Sequence, residues 1–308
     1  MLYFSFHQVL FLNFSAGIFS IILGLYVFYP KPRRPVQIHF GLLGACLGLW
    51  FLSFIVRDLC PYEYVKLVVN LGVAVSVPVP FFIFLISDSY RRRTYKPNPY
   101  IFYPHFALIA YLFLECAFIR VFTITSRQEE YVQISFNWIY PAILLYALII
   151  FLFAIGKYGI KTWKTRGKTR VASALMVFGL VSPLIWLSWF LTQNPLAKGL
   201  FSRGQAAICC ITGMLIWAIA ILNCNAFRIP AFSLIEPRLP TFHRLTRPFF
   251  NFMTRMIDLK YYRQQELTRK EKIVMKMMIH NNELCKNESL SAIDRALILA
   301  QTYGNYLR

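Results

Sequence analysis

The sequence predicts an all-α integral membrane protein, a seven-transmembrane helix bundle oriented N-out/C-in with a short helical cytoplasmic tail. Hydrophobic residues make up 57% of the 308 residues and charged residues only 15%, with a mean hydropathy of +0.51. That composition leaves too much apolar surface for water to be the solvent. Seven apolar stretches fall at about 9–29, 37–56, 66–87, 100–119, 138–158, 171–192 and 205–225, each near the ~20 helical residues that cross a hydrocarbon core about 30 Å thick. The loops between them alternate in charge. One set holds Lys31, Arg33 and Arg34, then Arg91, Arg92, Arg93 and Lys96, then Lys157, Lys161, Lys164, Arg166, Lys168 and Arg170. The other set holds only Arg57 and Lys66, Arg120 and Arg127, Lys198 and Arg203. Positive-inside placement puts the first set in the cytoplasm.

In chain order, the first stretch has no basic residue before it and a basic turn after it, so it reads as an uncleaved N-out helix and not as a signal peptide. The second ends in an outer loop containing Arg57 and Cys60. The third carries Pro78 and Pro80, which remove backbone donors and allow a hinge, and it closes on Asp88-Ser89-Tyr90-Arg91. The fourth contains His105, read as a hydrogen-bonded packing residue, and Glu115 near its outer end. The fifth opens on Trp138 and Tyr140. The sixth is interrupted by Pro183, a third candidate hinge, and the seventh contains no lysine, which excludes a retinal attachment of the microbial rhodopsin kind.

Residues 226–308 form the tail. Pro230, Pro237, Pro240 and Pro248 discourage a long helix at its start. Phe249, Phe250, Phe252, Met253 and Met256, among Arg255 and Lys260, suit a helix lying along a membrane surface. A further helix is predicted through Ile273–Ile279, ending near His280 to Asn282. Another is predicted from Ser289 to about Tyr303, with Ser289 or Ser291 as N-cap and Gly304 at its end. The tail reads either as a docking appendage or as a truncated output module. The net charge of +20 lies mostly where positive-inside placement puts it, so anionic lipid headgroups are its expected partner and nucleic acid is not. Of the seven cysteines only Cys60 falls in an outer loop, which implies no extracellular disulfide.

Tyr29-Pro30-Lys31-Pro32-Arg33-Arg34-Pro35, then Gly48-Leu49-Trp50, then Val77-Pro78-Val79-Pro80-Phe81-Phe82-Ile83-Phe84 give Asn13 to Arg93 a character that resembles the seven-helix input domain of bacterial membrane histidine kinases. The resemblance implies a two-component sensor that passes a signal to a cytoplasmic output. Residues 226–308 are too short for the phosphoacceptor hairpin and ATP-binding domain of that family, so an input domain without its own kinase output is expected. His280 resembles an acceptor histidine only faintly, since Asn281 stands where an acid is expected. Glu266 to Lys276 resembles the opening helix of a LuxR-type DNA-binding domain, but Asn281 to Arg308 does not reproduce the spacing of that domain.

Candidate ligand-binding residues gather in the outer half of the predicted bundle: Trp50, Asn70, Glu115, Trp138, Tyr140, Trp186 and Trp189. Intramembrane polar groups are costly, and aromatic residues with a few polar anchors build apolar pockets. The same aromatics also suit an interfacial belt. No phosphate loop, metal-binding pattern or compact Ser/His/Asp set is present. The expectation is therefore a receptor-like signal-transducing protein of the cell inner (plasma) membrane, multi-pass, without enzymatic output, cofactor or metal. It would take an undefined small-molecule or lipid ligand and act on a cytoplasmic signalling protein through residues 226–308. A small membrane transporter and a membrane-tethered LuxR-like regulator are the alternatives.

Overall fold

The computed structural model describes residues 6–90, 92, 94–118, 121–128, 131–193, 205–224, 226–227, 241–286 and 291–307. The apolar helices are α1 (Phe6–Phe28), α2 (Pro35–Leu59), α3 (Tyr62–Ser76), α4 (Pro78–Ser89), α5 (Pro99–Ala117), α6 (Ile139–Lys164), α7 (Lys168–Gln193) and α8 (Gln205–Cys224). Six spans are long and apolar enough to cross a membrane, with α3 and α4 counted together as Tyr62–Ser89; the apolar part of α8, Ala207–Ile221, is shorter. The chain is thus a helical membrane bundle. Its one addition to the all-helical expectation among the described residues is an antiparallel hairpin between α5 and α6, β1 (Phe122–Gln128) and β2 (Tyr131–Phe136), with Phe122 opposite Phe136.

Span boundaries follow from local chemistry. Asn98 caps α5 by accepting from the Tyr100 N–H at 3.1 Å, and Pro99 takes the first helical position, where a missing N–H costs nothing. In the turn before α2, the Arg34 N–H donates to Gln37 Oε1 at 2.9 Å while Gln37 Nε2 reaches back to the Val27 carbonyl at 2.9 Å. Gln37 is fully buried, so its amide fixes how α1 meets α2.

Helices α1, α2, α4, α6, α7 and α8 pack in a closed ring, each against the next, with α3 laid on α2 and α5 outside against α3, α4 and α6. Small residues set the closest crossings. A Cβ on Gly44 would stand 2.6 Å from the Ser20 carbonyl and one on Gly213 would strike the Gly179 carbonyl, so α1–α2 and α7–α8 approach backbone to backbone. At the centre, Phe40 lies against Trp217 and Phe227 (ring centroids 5.8 and 5.3 Å), and Trp217 Nε1 donates to the Met176 carbonyl at 3.0 Å.

The tail comprises α9 (Thr241–Ile257), α10 (Leu259–Cys285) and α11 (Ala292–Leu307). Helix α10 starts ahead of the predicted Ile273–Ile279 segment, where Asp258 caps it by accepting from the Tyr261 N–H at 3.0 Å, and it runs past the expected end near His280 to Asn282 as far as Cys285. Ser291 caps α11 reciprocally with Asp294, as predicted for one of the two serines. Gly304 lies within α11 and does not end it. Pro248 sits inside α9, while Pro230, Pro237 and Pro240 fall outside the described residues. His280 faces Tyr303 across the α10–α11 hairpin, ring centroids 5.9 Å apart.

Candidate functional site

An apolar cavity of about 110 Å³ opens where α2, α3, α4, α6, α7 and α8 converge. Its walls come from the last turns of α2 (Trp50, Ser53, Phe54), the middle of α3 (Val69, Gly72, Val73), the start of α4 (Val79, Pro80) and the first half of α6 (Tyr140, Ile143, Ala147). Pro183 of α7 and Cys210 of α8 complete the wall. All these segments lie at the end of the bundle away from the tail, which docks on the opposite ends of α7 and α8.

Ser53, Ser76 and Arg57 on the wall are bonded within the protein. Ser53 Oγ donates to the Trp50 carbonyl at 2.6 Å and Ser76 Oγ to the Val73 carbonyl at 2.8 Å. Arg57 pairs with Asp58 at 2.6 Å and lies over the Phe54 ring, 5.3 Å from its centroid. Trp50 packs at a tilt against both Phe51 and Phe54, ring centroids 5.0 and 5.3 Å away, so the end of α2 carries a short aromatic cluster. The wall is irregular because α3 and α4 meet at Val77. Pro78 and Pro80 have no N–H for the carbonyls of Ala74 and Ser76, although Val77 itself keeps helical φ and ψ and its bond to Val73.

The structure brings Trp50 and Tyr140 to the cavity together with two of the predicted hinge prolines, Pro80 and Pro183. Asn70 is fully buried next to it, but its amide donates to the Lys66 carbonyl at 2.8 Å and accepts from the Val121 N–H at 3.2 Å, which ties α3 to the base of the hairpin. Glu115 is half-buried on α5, away from the wall, and Trp138 stands 64% exposed before α6. The side chains of Trp186 and Trp189 on α7 fall outside the described residues. His105 does pack and bond as expected, stacked on Phe84 with Nδ1 3.2 Å from the Tyr146 hydroxyl.

Two arrangements near the tail were not singled out from the sequence. Lys157 of α6 binds the Asp88 carboxylate of α4, with Arg92 4.0 Å from the same carboxylate. Opposite charges at matching depth on two spans were the available signal. In the loop just beyond, burial first and then Asp88 push the Tyr95 phenol upward. The second arrangement joins tail to bundle. Asp258 Oδ2 accepts from the Gly167 N–H at 3.0 Å, and Gly167, at φ +64°, lets the α6–α7 turn close against the Tyr261 ring. Asn223 Nδ2 donates to Thr246 Oγ1 at 3.1 Å, and Phe250 and Thr254 of α9 are buried against the bundle.

No family model matches the chain, and no curated protein and no solved structure matches it. Among the described residues no group of three His, Cys, Asp or Glu side chains is placed to hold a metal ion.

Proposed function

We propose that the chain is a seven-span membrane sensor of the plasma (inner) membrane, N-out/C-in, whose cavity takes a small apolar ligand and whose α9–α11 tail passes the change to a cytoplasmic signalling partner. The cavity carries this reading. It sits where six helices meet, two of which, α4 and α7, place a proline on its wall, and α7 and α8 run from its wall to the tail joint. A ligand can shift a helix equilibrium only through contacts that differ between two arrangements; a wall made of Pro80, Pro183 and their neighbours supplies such contacts. Because Ser53, Ser76 and Arg57 of the wall are engaged within the protein, an apolar molecule fits better than a polar one. The resemblance of Asn13 to Arg93 to histidine-kinase input domains, and the alternation of basic loops, support the sensor reading and its orientation.

In size the cavity is comparable to apolar cavities of about 150 Å³ that take up benzene, so n-hexanol is a suitable probe. Ala147→Leu puts three extra carbons into the space. At ~0.8 kcal/mol per buried methylene, losing three equivalent contacts weakens hexanol binding by about 2.4 kcal/mol, on the order of 60-fold. Titration of the full chain in lipid nanodiscs, followed by thermal unfolding, should show hexanol raising the midpoint of the parent and not of Ala147→Leu. Equal shifts in both would remove the cavity from the account, and substrate flux in reconstituted vesicles would replace the sensor with a transporter.

A further inference from the structure

One face of α9 is committed to the bundle: Thr246, Phe250 and Thr254 are buried, with Met253 and Ile257 packed against the core. A second face is apolar and open. Phe249, Phe252 and Met256 follow at i, i+3 and i+7, the last two 59% and 69% exposed. Arg247 and Arg255 are exposed on the remaining side of the helix, between the bundle face and the apolar stripe, with Arg247 next to the bundle face. A helix so divided, fixed at the end of a membrane bundle with its apolar stripe beside the bundle face, has the geometry of one lying in the headgroup region. Further basic groups lie at the same end: Arg166 and Arg170 act on Asp258 at the α9–α10 junction. Trp163, 90% exposed at the same end of α6, is flanked by Lys161 and Lys164.

We propose that α9 is a lipid-reading element: its Phe249, Phe252 and Met256 stripe enters the acyl boundary of the adjacent leaflet, and Arg247 and Arg255 bind anionic phospholipid headgroups. The sign of the charge selects the partner, since no acidic side chain occurs in α9. Continuity with the lipid-facing spans selects a membrane over a free anion. Because Asn223–Thr246 and Gly167–Asp258 fasten α9 to α8 and to the α6–α7 turn, headgroup occupancy bears on the same joint that carries the proposed signal. The inference rests on the chain being a membrane bundle, not on the cavity or on which face is cytoplasmic.

Native mass spectrometry of the full chain, released from micelles containing equal amounts of phosphatidylglycerol and phosphatidylcholine, reads the preference directly. The parent should retain phosphatidylglycerol in excess. Each arginine near an anionic surface is worth roughly fivefold, so Arg247→Gln with Arg255→Gln should cut the ratio on the order of 25-fold. Arg269→Gln with Lys272→Gln removes equal charge from exposed positions of α10 and should leave it in place. Absence of any preference in the parent, or equal losses in both double variants, would overturn the proposal. The same spectra report mass, so a Phe252→Asn, Met256→Asn variant that converts a dimer to a monomer without changing the lipid ratio would assign the stripe to a second copy and overturn it as well. Circular dichroism of each variant establishes that α9 stays helical.

Discussion

Replacing Asp258 with alanine removes two bonds at once: the cap that starts α10, received from the Tyr261 N–H, and the tie to the α6–α7 turn, received from the Gly167 N–H, both at 3.0 Å. Loss of an N-cap costs about 1 kcal/mol. The second bond is charge-assisted, but the carboxylate keeps much of its hydration, which holds its worth to about 1 kcal/mol. Together these come to about 2 kcal/mol, or ~30-fold in the opening equilibrium of the joint. Hydrogen exchange on the full chain in nanodiscs should show that acceleration in peptides spanning residues 254–265 and 165–170. Peptides around Phe40 and Trp217 in the bundle centre should keep their rates. Unchanged exchange at the joint would refute the reasoning, and so would uniform acceleration of the whole bundle, because the tie would then belong to the global fold.

The pH dependence of that joint has a definite sign. Burial alone would raise the Asp258 carboxyl, but the Tyr261 and Gly167 N–H groups and the charges of Arg170 and Arg166 outweigh it and hold the group below its ordinary value. The tie is therefore fully present above the ordinary carboxylate range and is lost as pH falls through the lowered folded value; joint exchange should quicken there in the parent and stay flat in Asp258→Asn. Gly213→Leu drives a side chain into the Gly179 carbonyl at the α7–α8 crossing, and overpacking of this kind should cost about 3 kcal/mol in thermal or denaturant unfolding. Breaking the partly exposed Asp88–Lys157 pair by Lys157→Met should cost about 1–2 kcal/mol, less than a fully buried pair, and the double variant with Asp88→Asn should recover part of it in a double-mutant cycle. Ala147→Leu, by filling empty apolar space, should stabilise the ligand-free protein by about 1 kcal/mol, read as a higher unfolding midpoint.

Much of the bundle was legible because a bilayer imposes one strong rule, that a span must be apolar for about 20 residues. Each predicted apolar stretch overlaps a described helix, and the largest boundary difference, at the end of α6, arises where Lys161 and Lys164 extend the helix beyond the apolar run. The break at Val77 was legible from Pro78 and Pro80. The hairpin at Phe122–Phe136 was not singled out, since a short alternating segment between two long spans carries a weak signal. Of the candidate site, Trp50 and Tyr140 could be placed by type and depth alone. Composition does not reveal which way a helix is rotated, so it did not separate Trp138, exposed, from Tyr140, buried two residues later. Asn70 was drawn in by its polarity, and its amide is spent on two backbone groups. The joint at Asp258 and Gly167 spans 91 residues of sequence, and neither residue is distinctive until the fold brings them together.

The central claim is that the cavity and the tail are coupled, and hydrogen exchange of residues 246–261 with and without saturating n-hexanol tests it most directly. The account predicts at least a threefold change in tail exchange in the parent protein and none in Ala147→Leu, which controls for hexanol acting through the bilayer. Protection confined to peptides around Trp50 and Ala147, with tail exchange identical in the presence and absence of hexanol, would contradict it.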